Sequence, residues 1–151
     1  MKVTILRGIP GSGKSTYAAT IDDAVVVSAD NYFARGGAYT FDASELGAAH
    51  AACLRAFLAY LQGGGWTHIV VDNTNTTVAE IAPYYALAEA YGADVEIVTL
   101  ATDAIDACTA RGVHGVPRRV VMNIAVRLNI ENSRMPPRWK RTTRRDDGGV
   151  R

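Results

Sequence analysis

The sequence predicts a three-layer α/β fold: a small parallel sheet of about four strands, flanked by helices and completed by a helical lid. Three observations carry this reading. Short β-branched runs alternate with longer helical patterns, a glycine-rich segment joins the first run to the first helix, and an aspartate stands at or just after the end of the second and third runs.

The strand candidates are Lys2 to Leu6, Ala24 to Ser28, His68 to Val71 and Asp94 to Leu100. Apolar runs of this kind suit parallel strands buried on both faces, and parallel strands need helical crossovers between them. The first helix starts inside the glycine-rich segment at about Gly13 and ends near Ile21. Asp42 with Glu45 reads as a capping box for the second. After it, Leu46, Ala49, Cys53, Phe57 and Leu61 recur at three- and four-residue steps until Gly63 to Gly65 stop the helix. Thr77 with Glu80 repeats the capping signal. Pro83 lies too deep for an undisturbed first turn, which predicts a kink or restart before Tyr84, and Gly92 ends that helix. A short helix follows from about Ala104 to Ala110, and Pro117 opens a last one reaching about Ile130. Between these two lies the candidate lid, Arg111 to Val116.

The chain has 151 residues, 48% of them hydrophobic, enough for one core and one domain, taken as residues 1–133. Residues 134–151 are rich in Pro, Arg, Gly and Asp without periodicity, and read as a basic, partly disordered tail. Seven basic residues there against Asp146 and Asp147 give +5, which leaves about −4 on the rest of a chain whose total is +1. Near-neutral bulk charge does not announce a nucleic-acid binder, although Trp139 in the basic tail could stack a base. Cys53 and Cys108 fall in apolar helical patterns and read as core thiols, not as a disulfide. No run has the length to cross a bilayer and the first residues lack a signal-peptide pattern, so a cytoplasmic setting without membrane contact is expected.

Residues 8–15, GIPGSGKS, match G-x-x-x-x-G-K-[ST] in full, and they sit after a strand and before a helix, where a phosphate loop (P-loop) works. Glycines let backbone N–H groups turn inward around phosphate oxygens. The expected nucleotide holders are Gly8, Pro10, Gly11, Ser12, Gly13, Lys14, Ser15 and Thr16. Lys14 should reach the β- and γ-phosphates of ATP, while the Ser15 hydroxyl should ligate Mg²⁺. Only three lysines occur against 13 arginines, yet one of the three occupies this position.

In a parallel sheet all strands deliver their C-terminal ends to one edge, so groups just beyond them converge on the phosphates. Asp30, in VVVSADNYF, is expected to be the base that accepts an alcohol's proton. Asp72, in HIVVDNTN, is expected beside Mg²⁺, with Thr74 and Asn75 lining the pocket. Arg111, Arg118 and Arg119 flank GVHGVP and could bring a guanidinium to the transferring phosphoryl group; Arg111 and Arg118 are the leading candidates, and His114 reads as a lid hydrogen-bond donor.

With these residues placed, the chain resembles the bacteriophage polynucleotide kinase family and the similar kinase domain of the Nedd4-binding protein group. The shared segments are GIPGSGKST, SADNYF, YTFDASELGAAH, VVDNTNTT and HGVPRRVV, in that order from Arg7 to about Trp139. The resemblance implies a four-stranded parallel core of P-loop NTPase type, use of ATP and Mg²⁺, and phosphorylation of a 5′-hydroxyl end in DNA or RNA, with Asp30 as general base. It departs at Phe33, where the phage enzyme carries an arginine that grips the acceptor's neighbouring phosphate; Arg35 could substitute. Related small phage kinases act on hydroxymethyl-uracil in DNA, and zeta-type toxin kinases on nucleotide sugars, so these acceptors stay open alongside a non-enzymatic ATP-binding switch.

Overall fold

The computed structural model describes residues 1–34, 37–112 and 114–145. Its sheet comprises β1 (Lys2–Arg7), β2 (Ala24–Val27), β3 (His68–Asp72), β4 (Asp94–Ala101) and β5 (Arg141–Arg145), in the spatial order β2-β3-β1-β4-β5. Every pairing is parallel. The fold is therefore the expected α/β arrangement with one strand more.

That fifth strand corrects the reading of residues 134–151 as a tail. Arg141 to Arg145 pairs with Ile97 to Ala101 in register, while Met135 and Trp139 are buried in the core. Trp139 stacks on Tyr85 with ring centroids 4.7 Å apart. RTTRR gives no apolar signal because β5 is an edge strand whose side chains are mostly exposed, so only its backbone is recruited. Residues 146–151 lie outside the described ones.

Helices connect the strands: α1 (Lys14–Ala18), α2 (Asp30–Phe33), α3 (Leu46–Gly63), α4 (Val78–Ala90), α5 (Ile105–Arg111) and α6 (Arg118–Asn132). Alternation along the strands divides the core. Val3, Ile5, Ile69, Val71, Val95 and Ile97 meet Ala49, Cys53, Phe57 and Leu61 of α3 and Ile81, Tyr84, Tyr85 and Ala88 of α4. Leu6, Val70 and Val98 face the other way, onto Ala18 of α1. Burying one such aliphatic side chain stabilises by about 1.5–3 kcal/mol, so this face-by-face sorting is what fixes strand register. Both cysteines are free and buried, as expected.

The start of α3 and the middle of α4 differ from expectation. Asp42 caps a 3₁₀ turn, Ala43–Glu45, by accepting from the Ser44 amide at 2.8 Å, so α3 proper begins at Leu46. The Thr77–Glu80 capping box forms in both directions, but α4 then runs unbroken through Pro83. Pro83 and Ala79, whose carbonyl loses its helical partner, both lie on the exposed side, where water can serve that carbonyl.

Candidate active site

The segment between β1 and α1 folds as a loop for geometric reasons that begin with its glycines. Gly11 has φ +76°, and a Cβ there would lie 2.0 Å from the Cys108 carbonyl oxygen of α5. Gly13, at φ +87°, caps α1 in the left-handed region with open space where a side chain would stand. The Gly8 amide donates to the Thr74 carbonyl (3.1 Å) and the Ser12 amide to Ile9 (3.2 Å), which ties the loop to the end of β3 and to itself. The Ser12 hydroxyl is buried without a hydrogen-bond partner among the described residues, so the loop keeps unspent polarity. Because α1 has only five residues, shorter than expected, loop amides and Lys14 supply most of the positive character.

Lys14 is buried, and its Nζ donates to the Ile9 carbonyl at 2.9 Å. Burial lowers its pKa from the ordinary lysine value, opposed by the charges of Asp72 and then Asp30. Both expected carboxylates therefore act on the same ammonium. The Ser15 hydroxyl donates to Asp72 Oδ2 at 2.6 Å, bringing together two oxygens separated by 57 positions. Among the described residues no group of three or more His, Cys, Asp or Glu side chains could hold a metal ion unaided. The hydroxyl and carboxylate pair nevertheless fits Mg²⁺, which needs few protein ligands when phosphates complete its shell.

Asn75, expected at the pocket, turns inward instead. It is 2% exposed at φ +44°, and its amide donates to the Leu6 carbonyl at 2.6 Å, so it pins the loop after β3 to β1. Thr74 is half-buried and contributes its carbonyl. Two residues not singled out beforehand do related work. Asn73 accepts from the Ala29 amide at 2.8 Å, which sets the start of α2 and so the place of Asp30. Arg7, 1% exposed, donates to the carbonyls of Asn75, Thr76 and Leu128 and thereby links β1, the loop before α4, and α6. Desolvation lowers its pKa to about 10, with Glu131 opposing. Its position directly before Gly8 was a usable clue, since a charged side chain at the end of a buried strand must find acceptors.

Asp30 opens α2 with its carboxylate exposed. Tyr39 Oη donates to Oδ1 at 3.2 Å, and Nε2 of His114 lies 3.6 Å from Oδ2. Burial, and then Asp30, push the Tyr39 pKa up to about 12. Thus His114, in the segment expected to form a lid, reaches the expected base. Arg111 donates to Cys108 Sγ at 3.5 Å, Arg118 is held by Asp106 of α5, and Arg119 is exposed. Pro10 is half-buried and Thr16 exposed beside the loop. Arg35 lies outside the described residues, as does Val113 of the lid.

A cavity of about 500 Å³ opens beside the loop at the ends of β4 and β5. Ile9, Leu100, Asp103, Ile105, Leu128 and Arg145 are among its walls.

The family described as "AAA domain" matches residues 3–122. Human NEDD4-binding protein 2 is 38% identical over 95 residues, a stretch covering 58% of this chain but 5% of that protein. A chain of the solved Pnkp1/Rnl/Hen1 RNA repair complex superposes with a TM-score of 0.68 at 21% identity, covering 89% of this chain and 46% of that one. Kti12 of Chaetomium thermophilum, solved with ADP-AlF3, gives 0.66 at 16% identity, covering 97% and 90%. At such identities the two structures speak to the fold alone. Among the described residues no helix is long and apolar enough to cross a membrane.

Proposed function

Since this chain belongs to the AAA domain family, matched over residues 3–122, we propose that it is an ATP-dependent kinase that transfers the γ-phosphoryl group to a hydroxyl of a nucleic acid, in the first instance a polynucleotide 5′-hydroxyl end. The observation that carries the reading is the convergence on Lys14 of the loop Gly8 to Ser15, the Ser15–Asp72 pair and the Asp30 carboxylate at one edge of the sheet.

In this reading Lys14 exchanges the Ile9 carbonyl for β- and γ-phosphate oxygens, and loop amides hold the same anion. Ser15 and Asp72 would hold Mg²⁺, which when bound neutralises charge on the phosphates. Asp30 accepts the proton of the acceptor hydroxyl as its oxygen bonds to the γ-phosphorus and the bond to the bridging oxygen breaks, releasing ADP. The cavity beside Ile9 would take the nucleoside end of ATP. Arg111 and Arg118 lie on either side of the lid, and closure would bring one of them to the equatorial oxygens. The fold shared with a chain of the Pnkp1/Rnl/Hen1 RNA repair complex supports a nucleic-acid acceptor by analogy.

The test offers γ-labelled ATP with a 5′-hydroxyl oligonucleotide, hydroxymethyl-uracil DNA, nucleosides and nucleotide sugars. Label on the oligonucleotide end is expected; label confined to small molecules removes the reading.

A further inference from the structure

The surface beside Asp30 is built from rings. Tyr39 is 37% and Phe41 53% exposed, and Phe33, buried at the end of α2, supports both from beneath, with ring centroids at 6.1 Å and 5.1 Å. Tyr39 is one hydrogen bond from the carboxylate that the kinase reading makes the proton acceptor. On Tyr39 the imidazole of His114 lies nearly parallel, at 4.1 Å and 21°. The face of Tyr39 thus takes a flat heteroaromatic ring, and an incoming base would have to displace the imidazole to use it.

We propose that Tyr39 and Phe41 form a platform on which a nucleobase of the acceptor stacks, so that the enzyme selects hydroxyls carried next to an unpaired base. This rests on the kinase reading and narrows its acceptor. Charge supports a base over a phosphate as the group received. Residues 37–42 (GAYTFD) include no cation and end in Asp42, whose pKa is lowered by hydrogen bonds from Ser44, so a phosphate is left to Arg35, the residue that the sequence offers for it, and the rings to the base. Stacking suits every base, because each has a π-face, and an aromatic contact of this kind is worth roughly 1–3 kcal/mol per base.

The experiment compares a single-stranded 5′-hydroxyl oligonucleotide with the same strand carrying an abasic 5′-terminal residue, in the wild-type protein and in Tyr39→Leu, Tyr39→Phe and Phe41→Ala. Tyr39 is 37% and Phe41 53% exposed, so all three variants should fold, which thermal unfolding checks. Loss of the base should raise KM for the acceptor by roughly 5- to 150-fold, the range that stacking implies. Tyr39→Leu and Phe41→Ala should raise KM for the intact strand and leave that for the abasic strand unchanged, whereas Tyr39→Phe, which keeps the ring and loses the hydroxyl, should preserve KM. KM for ATP should not move. Equal use of intact and abasic strands, or an unchanged KM in Tyr39→Leu and Phe41→Ala, overturns the platform and leaves the kinase reading standing. Absence of transfer to every base-bearing acceptor overturns both.

Discussion

Under the kinase proposal, replacing Asp30 by Asn should separate nucleotide binding from phosphoryl transfer. The side chain is 56% exposed and meets Tyr39 Oη, at 3.2 Å, and His114 Nε2, at 3.6 Å. An isosteric amide there should change stability by no more than about 0.5 kcal/mol. Lys14 keeps the larger of its two carboxylate influences, Asp72, so its ammonium and the ATP affinity should persist within about twofold. Under the proposed mechanism, however, the acceptor hydroxyl would lose its proton acceptor. A general base contributes roughly 10²- to 10⁴-fold, about 2.7–5.5 kcal/mol of activation free energy, and kcat should fall by that factor. Single-turnover transfer of label to an oligonucleotide gives the rate, and calorimetry gives the ATP affinity. Unchanged turnover refutes the assignment of Asp30, and so does a parallel loss of ATP binding, which would make Asp30 a nucleotide ligand.

Gly11→Ala should abolish ATP binding, because its Cβ would lie 2.0 Å from the Cys108 carbonyl at φ +76°; calorimetry on the folded variant checks it. Trp139→Ala should destabilise by about 3–5 kcal/mol, as removal of a buried aromatic does, with thermal unfolding as readout; a solvated tail would give no change. The Glu131 carboxyl is held below the usual range first by the Val78 amide, at 3.0 Å, and then by Arg134. A depressed carboxyl contributes stability above its unfolded value, near 4.5, and loses it as pH falls through the lower folded value. The wild-type advantage in Tm over Glu131→Gln should therefore be full at pH 7 and shrink as pH falls below about 4.5, and a pH-independent difference would contradict this.

The sequence was most informative where local chemistry and topology agree. GIPGSGKS between a strand and a helix located the loop, and the rule that parallel strands end at one edge brought Ser15 and Asp72 together across 57 positions. Thr77 and Glu80 announced α4 because both halves of a capping box lie within four residues. Edge strand β5 escaped because its pairing uses backbone groups, while Trp139, read as a possible base stacker, proved to be core once Tyr85 lay beneath it. Asn75 escaped because a turn amide serves a pocket or a backbone carbonyl equally well by sequence, and only the closeness of Leu6 decides. The approach of His114 to Asp30 depends on how the lid lies over the sheet edge, which no local pattern specifies.

Titration of ATP into the wild-type protein and Lys14→Ala, with and without Mg²⁺, tests most directly whether Gly8 to Ser15 holds a triphosphate. Saturable binding that strengthens with Mg²⁺ and is lost or greatly weakened in Lys14→Ala is the predicted result. Heats indistinguishable from dilution in the wild-type protein, or equal affinity in the variant, would contradict it.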